Sequence, residues 1–205
     1  MKIEVVLATK NRGKVRDFAD IFDQMDLSDR VTLLDLSEFP DFPDVPEDGE
    51  TFSENALIKA RAAADFTGKI TIADDSGIVV DALDGAPGIY SARFAGACAD
   101  DRSNNDKLLE MMKDVPEAER TATFRAAVAI VSPGGREAVV VGECHGFIAE
   151  ASLGTNGFGY DPLFFYPPLR KTYGQMADEE KNRISHRRRA AEACAAELLT
   201  FIGDA

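Results

Sequence analysis

The chain has 205 residues, of which 45% are apolar and 29% charged, a composition typical of a globular protein with a buried core. Its formal net charge is −13, from 36 acidic and 23 basic side chains, so we expect no nucleic acid as a partner. No apolar stretch approaches the roughly 18 residues that cross a bilayer, and we expect no membrane partner either. The three cysteines lack metal-ligand spacing and are expected to be reduced, which indicates the cytoplasm.

The first candidate site is a polar loop between an apolar run at residues 3–8, predicted to be a buried strand, and a helix. A loop that opens a helix in this way presents free backbone N–H groups and the positive end of the helix dipole to an anion. The alternative is an ordinary connection with solvated lysines. The loop consists of Thr9, Lys10, Asn11, Arg12, Gly13 and Lys14, and the apolar stripe of the helix of Val15, Phe18, Ala19 and Phe22.

A second strand is predicted at residues 31–36, followed by a proline-rich loop at residues 37–48. Thr51 and Glu54 have the spacing of a capping box, which predicts a helix that begins after Thr51 and extends to about residue 66. The apolar stripe of this helix is Phe52, Ala56, Ala60 and Ala63.

Two polar residues of that helix, Asn55 and Lys59, are spaced i,i+4 and therefore lie on one face, where they can point at a common ligand. A solvated helix face is the alternative. Glu47 lies just before the helix and is a candidate metal carboxylate, acting either directly or through another ligand.

The central stretch, residues 70–80, is a β-branched run that delivers Asp74, Asp75 and Ser76 at the end of a strand. Adjacent carboxylates suit Mg²⁺, which prefers oxygen ligands and shares them with substrate phosphates, and one of them can act as a base towards water. The alternative is a solvated turn between two strands. The residues alone leave open which of the two aspartates faces a metal.

The second half of the chain begins with a predicted helix at residues 103–112 and a hairpin formed by residues 121–131 and 137–146. A loop rich in glycine and aromatic residues then spans residues 154–162. Glycines allow a flat ligand to approach the backbone closely, and an aromatic ring can stack on it; in the alternative the aromatic side chains simply pack. The candidate residues are Phe158, Gly159, Tyr160 and Asp161.

The chain closes with helical patterns at residues 178–185 and 190–202, joined by a basic segment that contains His186 and Arg187. A lone histidine is more often structural than catalytic, and a run of arginines is more often solvated. Strands alternate with helices and a hairpin is inserted late. This order predicts an α/β (mixed α+β) fold in one domain, residues 1–205.

Six stretches in order resemble the inosine triphosphate pyrophosphatases, also called dITP/XTP pyrophosphatases, over the whole length of the chain. Each motif is weak alone, whereas six of unrelated composition in the same order are specific. They are Leu-Ala-Thr-Lys-Asn-Arg-Gly-Lys at 7–14, Thr-Phe-Ser-Glu-Asn-Ala at 51–56 with Lys-Ala at 59–60, Ala-Asp-Asp-Ser-Gly at 73–77, Gly-Ala-Pro-Gly-Ile-Tyr-Ser-Ala-Arg at 85–93, Gly-Phe-Gly-Tyr-Asp-Pro at 157–162, and Glu-Lys at 180–181 with Ile-Ser-His-Arg at 184–187.

The resemblance implies a homodimer of two-lobed subunits, each with a central mixed β-sheet flanked by helices and an active-site cleft between the lobes. It implies a purine nucleoside triphosphate as substrate, cleaved between the α- and β-phosphates with Mg²⁺. The favoured substrates, ITP, dITP and XTP, are noncanonical purine nucleotides, so the role is to cleanse the nucleotide pool.

The resemblance also implies a role for each matching residue. Asp75 is the catalytic base and a Mg²⁺ ligand, and Glu47 is the candidate second metal ligand. The nucleotide and its phosphates are bound by Thr9, Lys10, Asn11, Arg12, Gly13, Lys14, Lys59, Ser76 and Lys181. The base is held by Phe158, Gly159, Tyr160, Asp161, His186 and Arg187.

Two positions depart from the family pattern. Relatives often carry serine or glycine at the position of Lys10, and they often carry glycine at the position of Arg188. Lys10 adds charge near the phosphates, and Arg188 places a bulky cation beside the base-reading residues.

Two other functions are consistent with the residues: a pyrophosphatase that acts on modified pyrimidine or ordinary nucleotides, and a nucleotide sensor that has lost hydrolysis.

Overall fold

The computed structural model of the chain describes residues 2–203, and it confirms the predicted mixed α/β class. The helices are α1 (Arg12–Gln24), α2 (Phe52–Thr67), α3 (Asp101–Met112), α4 (Asp178–Asn182) and α5 (His186–Gly203). The strands are β1 (Ile3–Leu7), β2 (Val31–Asp35), β3 (Ile70–Val80), β4 (Thr121–Val131), β5 (Glu137–Ile148), β6 (Phe164–Tyr166) and β7 (Lys171–Thr172). None of the helices in residues 2–203 is long and apolar enough to cross a membrane.

The seven strands form one mixed sheet in the order β2-β1-β3-β4-β5-β6-β7. β1 pairs in parallel with both β2 and β3, whereas β6 pairs antiparallel with both β5 and β7. The predicted hairpin is confirmed, because Thr123 contacts His145 and Arg125 contacts Glu143, which is the order of an antiparallel pair.

By its contacts the chain divides into two compact units. Unit 1 comprises the residues up to 75, residues 126–142 and the residues from 188 onward; unit 2 comprises residues 76–125 and 143–187. The boundary in β3 falls between Asp75 and Ser76, so the two halves of that strand belong to different units.

The core of unit 1 is formed by β1, the first half of β3, α1 and α5. In α1 the buried side chains are Phe18, Ile21 and Phe22, an i, i+3, i+4 set on one face. Ala19, which we predicted to belong to this stripe, is exposed, because it lies one position away from that face.

Helix α2 follows the sequence prediction closely. The Thr51 hydroxyl accepts a hydrogen bond from the Glu54 N–H (3.1 Å), and the Glu54 carboxylate accepts one from the Thr51 N–H (3.2 Å), which completes the capping box. The predicted stripe is buried, and it consists of Phe52, Ala56, Ala60 and Ala63.

Three predicted boundaries are wrong. The stretch at residues 70–80 is one continuous strand rather than a strand that ends at Asp74. Charges inside a strand are tolerated here because each aspartate has a cationic partner, as described below. Helix α5 begins at His186 rather than at residue 190, and α4 ends at Asn182 rather than near residue 185. The basic segment is therefore the first turn of a helix and not a connection.

In unit 2 a buried arginine ties the end of α3 to the end of β5. Arg120 is 4% exposed, and its guanidinium donates to the carbonyls of Met112 (2.6 Å), Ile148 (2.8 Å) and Ala149 (3.1 Å). A buried carbonyl without enough hydrogen-bond donors lowers the stability of the fold. The arginine supplies donors to these carbonyls and so avoids that loss.

We expect Arg120→Met to lower the free energy of unfolding by about 3–5 kcal/mol, since several buried carbonyls lose their donor. Urea denaturation measures this loss. The matched control is Arg125→Met, whose side chain is 44% exposed and pairs with Glu143; it should cost no more than about 1 kcal/mol. Equal losses for the two variants would contradict the role assigned to Arg120.

Candidate active site

The candidate catalytic residues are consecutive in β3, so their side chains leave the strand on opposite faces. Asp74 is 3% exposed, and its carboxylate lies 2.7 Å from the ammonium of Lys14. Lys14 is in the first turn of α1, which follows β1, the parallel neighbour of β3. The first face of β3 therefore carries a largely buried ion pair between the loop helix and the central strand.

Asp75 lies in a second cluster, which we call the Asp75 cluster and which consists of Glu47, Asn55, Lys59 and Asp75. The Lys59 ammonium lies 3.3 Å from the Asp75 carboxylate and 3.1 Å from that of Glu47. The Asn55 amide donates to Asp75 (3.3 Å) and accepts from the N–H of Gly49 (2.9 Å), so it also fixes the segment that carries Glu47. The prediction that Asn55 and Lys59 share a functional face is confirmed to the extent that both contact Asp75.

The environment of Asp75 changes its acidity. Burial raises the pKa of this carboxyl; the Lys59 ammonium and the Asn55 amide oppose the rise, and the negative charge of Glu47 adds to it. A carboxylate with a raised pKa binds a proton more readily, which suits a general base that takes a proton from water.

The loop at residues 9–14 differs from the expected anion site in one respect. The side-chain oxygen of Asn11 caps α1 and accepts hydrogen bonds from the N–H groups of Gly13 (2.8 Å) and Lys14 (3.3 Å). The Asn11 N–H in turn donates to the Thr9 hydroxyl (3.1 Å). Three of the N–H groups that we predicted to be free are thus occupied, and the loop offers an anion mainly its cationic side chains. Lys10 and Arg12 are exposed.

Unit 2 contains a cavity of about 160 Å³ whose lining includes the predicted base-binding residues. The Phe158 ring is 57% exposed. The Lys181 ammonium lies 4.7 Å from its centroid, and the Arg187 guanidinium carbon lies 5.3 Å from it. An accessible ring with cations against it is suited to stacking on a planar ligand. Ser76 also lines this cavity.

Asp161 is the buried anion of this cavity, 2% exposed, and it accepts hydrogen bonds from the Phe158 N–H (2.9 Å) and from the Lys181 ammonium. Burial raises the pKa of its carboxyl, and the positive charge of Lys181 opposes that rise. Gly157 makes this arrangement possible: its φ is +76°, and a Cβ there would lie 1.9 Å from the Asp161 carboxylate. Lys181, which the resemblance grouped with the phosphate residues, thus lies with the base-side residues.

Two other predicted residues are held by their neighbours. The Tyr160 hydroxyl donates to the Ser91 carbonyl (2.8 Å), and burial raises the pKa of this phenol. His186 is 5% exposed, and its ring is stacked on that of Phe124, with centroids 4.7 Å apart and planes 9° from parallel. Both side chains line the cavity in fixed orientations.

The residues present fit a Mg²⁺ ion that is bound jointly by the protein and the substrate phosphates, rather than one whose ligands all come from the protein. Within residues 2–203 no group of three or more His, Cys, Asp and Glu side chains is arranged to hold a metal. The carboxylates of Glu47 and Asp75 do converge on one cation, the Lys59 ammonium. Two carboxylates are what Mg²⁺ uses when substrate phosphates and water supply its remaining ligands.

The sequence did not predict the roles of three residues of the site, or predicted them only in part. Asp74 was left as an alternative to Asp75, and Asn55 was noted but assigned no role. Phe124 carried no signal, because an aromatic residue in a strand reads as ordinary core. Arg188, expected to crowd the base-reading pair, donates to Glu192 (2.6 Å) and to Gln24 (2.7 Å).

Comparison with known proteins gives one consistent result. The sequence pattern of the Ham1 family matches residues 5–197. A protein of Geobacter sulfurreducens named dITP/XTP pyrophosphatase is 53% identical over 186 residues, which cover 91% of this chain and 92% of the relative.

Two solved structures are similar over nearly the whole chain. The Staphylococcus aureus Ham1 protein is 42% identical with a TM-score of 0.87, and the match covers 97% of this chain and 99% of that one. A HAM1 protein from Coxiella burnetii is 36% identical with a TM-score of 0.89, and the coverage is the same. The observed fold is therefore the fold of these proteins.

We expect Asp75→Asn to stabilise the protein against urea at pH 7.5 in EDTA. The folded state raises the pKa of Asp75, so ionisation of this carboxyl destabilises the fold once the pH exceeds the ordinary aspartate range. The gain should shrink as the pH is lowered towards that range, where both states bind the proton.

The matched control is Asp65→Asn, an exposed carboxylate on the same helix as Lys59, which should change stability little at either pH. A wild-type protein that is more stable than Asp75→Asn at pH 7.5 would show that attraction to Lys59 outweighs the cost of burial.

Proposed function

This chain belongs to the Ham1 family, and we propose that it is a nucleoside triphosphate pyrophosphohydrolase acting on noncanonical purine nucleotides such as ITP, dITP and XTP. The products are the nucleoside monophosphate and pyrophosphate, and the role is to cleanse the nucleotide pool. The observation that carries the proposal is the half-buried Asp75 carboxylate, set beside Lys59 and Glu47, in a chain 53% identical to a protein named dITP/XTP pyrophosphatase.

In the proposed reaction Asp75 takes a proton from a water molecule, and the water oxygen attacks the α-phosphorus. The bond between this phosphorus and the oxygen that bridges it to the β-phosphate breaks, and pyrophosphate leaves with that oxygen and the electron pair of the bond. Asn55 and Lys59 hold the carboxylate in place through the contacts described above. The cations of the loop at residues 9–14, together with Lys59, offset the negative charge that grows on the leaving group.

Mg²⁺ is the proposed cofactor, held by Asp75 and Glu47. When bound, this ion polarises the phosphates and neutralises charge on them. Lys59 lies against both carboxylates, so its ammonium keeps their mutual repulsion low when no other cation is near.

The cavity of unit 2 supports a purine with an oxygen at position 6. The Phe158 ring offers a stacking surface, and Arg187 lies against that ring. A guanidinium donates hydrogen bonds and accepts none, so it pairs with a 6-oxo acceptor and meets the 6-amino group of adenine donor to donor. An unpaired buried donor is costly, and this cost is the proposed basis for discrimination between ITP and ATP.

Two further features are proposed on the family resemblance and the cysteine content, namely a homodimer and a cytoplasmic location. The three cysteines form no disulfide within residues 2–203: Cys98 is exposed, and Cys144 and Cys194 are buried. Reduced thiols are typical of the cytoplasm.

The test of the function is pyrophosphate release from ITP, XTP, GTP, ATP, dUTP and TTP with Mg²⁺, beside EDTA controls. We expect rapid release from ITP and XTP and far slower release from GTP and ATP. Asp75→Asn should reduce kcat by roughly 10²–10⁴-fold, the range for loss of a general base. Release chiefly from dUTP or TTP would favour the pyrimidine-directed enzyme, and binding without release would favour the sensor.

We expect Lys14→Met to raise KM for ITP by about tenfold, since a charge-assisted contact to a phosphate is worth about 1.5–3 kcal/mol. The variant also leaves the carboxylate of Asp74 without its ammonium partner, which destabilises the fold and complicates the measurement.

The double variant Lys14→Met/Asp74→Asn separates the two effects. It removes both members of the pair, so stability should recover in urea denaturation while KM stays high. A KM that returns to the wild-type value together with stability would mean that Lys14 serves only the fold.

A further inference from the structure

The first turn of α3 contacts two segments that line the cavity of unit 2. We call Asp101, Asn104 and Asn105 the α3 cluster. The Asn104 amide, 3% exposed, accepts from the Ala95 N–H (2.8 Å) and donates to the Ala92 carbonyl (3.2 Å). The segment at residues 91–95 thus makes two hydrogen bonds with this one side chain, donating one and accepting the other.

The other two members of the α3 cluster hold both polar groups of Gly159. The Asp101 carboxylate accepts from the Gly159 N–H (2.6 Å), and the Asn105 amide donates to the Gly159 carbonyl (3.0 Å). Gly159 separates Phe158, whose ring is the open stacking surface, from Tyr160. Two bonds to one residue, one on each side of its Cα, restrict both displacement and rotation of the backbone that carries the ring.

The two segments are also bonded directly to each other, because the Tyr160 hydroxyl donates to the Ser91 carbonyl (2.8 Å). The α3 cluster therefore binds each of the two segments, and the tyrosine binds them to each other. Their spacing is fixed from two sides within one unit.

Asn105 acts on the cavity only through Gly159. It is 7% exposed and lies against a different cavity, of about 240 Å³, on the other side of the loop. Its side-chain oxygen is buried and makes no hydrogen bond to any residue in the described range, 2–203. A buried acceptor without a partner costs stability, and an apolar side chain would avoid that cost. The bond from its amide to Gly159 is what this asparagine supplies.

We propose that the α3 cluster positions the loop at residues 154–162, which we call the base-binding loop, and thereby sets the selectivity of the cavity for its purine. The inference rests on the proposed function. Asp101 and Asn105 are positioning residues: they act through Gly159 on the placement of the Phe158 ring, and a small displacement there weakens the hydrogen bonds that distinguish one base from another. Asp101 also lines the cavity itself, whereas Asn105 does not, so Asn105→Asp isolates the effect on Gly159.

The test compares Asn105→Asp, which keeps the size but replaces the donor with a carboxylate oxygen, with Asp101→Ala and Asp101→Asn. Asp101 is exposed, so its variants fold even if Asn105→Asp does not, and Asp101→Asn retains an acceptor oxygen and serves as the rescue. The matched control is Glu110→Gln, on the same helix, whose side chain is 70% exposed.

Two measurements are made on the full chain. Hydrogen–deuterium exchange of residues 154–162 should be faster by about tenfold in Asn105→Asp and Asp101→Ala. In the same variants KM for ITP should rise about fivefold, the effect of one hydrogen bond, with kcat changed little and the ITP-to-ATP ratio of kcat/KM reduced. Inhibition by inorganic pyrophosphate should not change, and Asp101→Asn and Glu110→Gln should resemble the wild type.

Unchanged exchange in Asp101→Ala would overturn the inference, and so would faster exchange with an unchanged ITP-to-ATP ratio. A wild-type protein that releases no pyrophosphate from ITP or XTP would overturn the proposed function, and with it the selectivity step. The exchange rates and the wild-type turnover therefore separate failure of the inference from failure of the function.

Discussion

An extended strand sends consecutive side chains to opposite faces, and the arrangement of unit 1 depends on this alternation in β3. Asp74 turns to one face and pairs with Lys14, which ties the first loop and helix to the central strand. Asp75 turns to the other face and meets Lys59 and Asn55 of α2. Two like charges one residue apart are therefore separated by the backbone and given different partners. One carboxylate pairs with the helix that follows the first loop, and the other is the proposed general base.

The two units solve the problem of buried charge in different ways. Arg120 in unit 2 is surrounded by main-chain carbonyls, which do not titrate, so its contacts are independent of pH. Asp75 in unit 1 is half-buried beside a second carboxylate, Glu47, and its charge is only partly compensated by Lys59. The first arrangement favours stability. The second lowers the stability of the folded state but provides a carboxylate that binds protons readily, as expected for the proposed general base.

Local patterns allowed much of the fold to be predicted from sequence. The capping box before α2, the stripe on its buried face and the hairpin each depend on residues close in the chain, and the i,i+4 spacing of Asn55 and Lys59 located half of the Asp75 cluster. Part of what failed depends on distant partners, and part on a local helix cap that we overlooked. β3 continues through Asp74 because Lys14 neutralises the charge, and the Asn11 cap occupies N–H groups that the pattern left free. The α3 cluster has no local signature, since its partners lie up to 58 residues away.

The base-binding loop also constrains how this protein can change over generations. A side chain at residue 157 would collide with the carboxylate of Asp161, so mutation there is closed to every residue but glycine. Phe158, the next residue, has most of its ring in solvent and its backbone held by neighbours, so a different side chain is accommodated without rebuilding the loop. A change in a single codon, that of residue 158, can thus pass to descendants a different surface at the proposed stacking position, whereas residue 157 stays glycine.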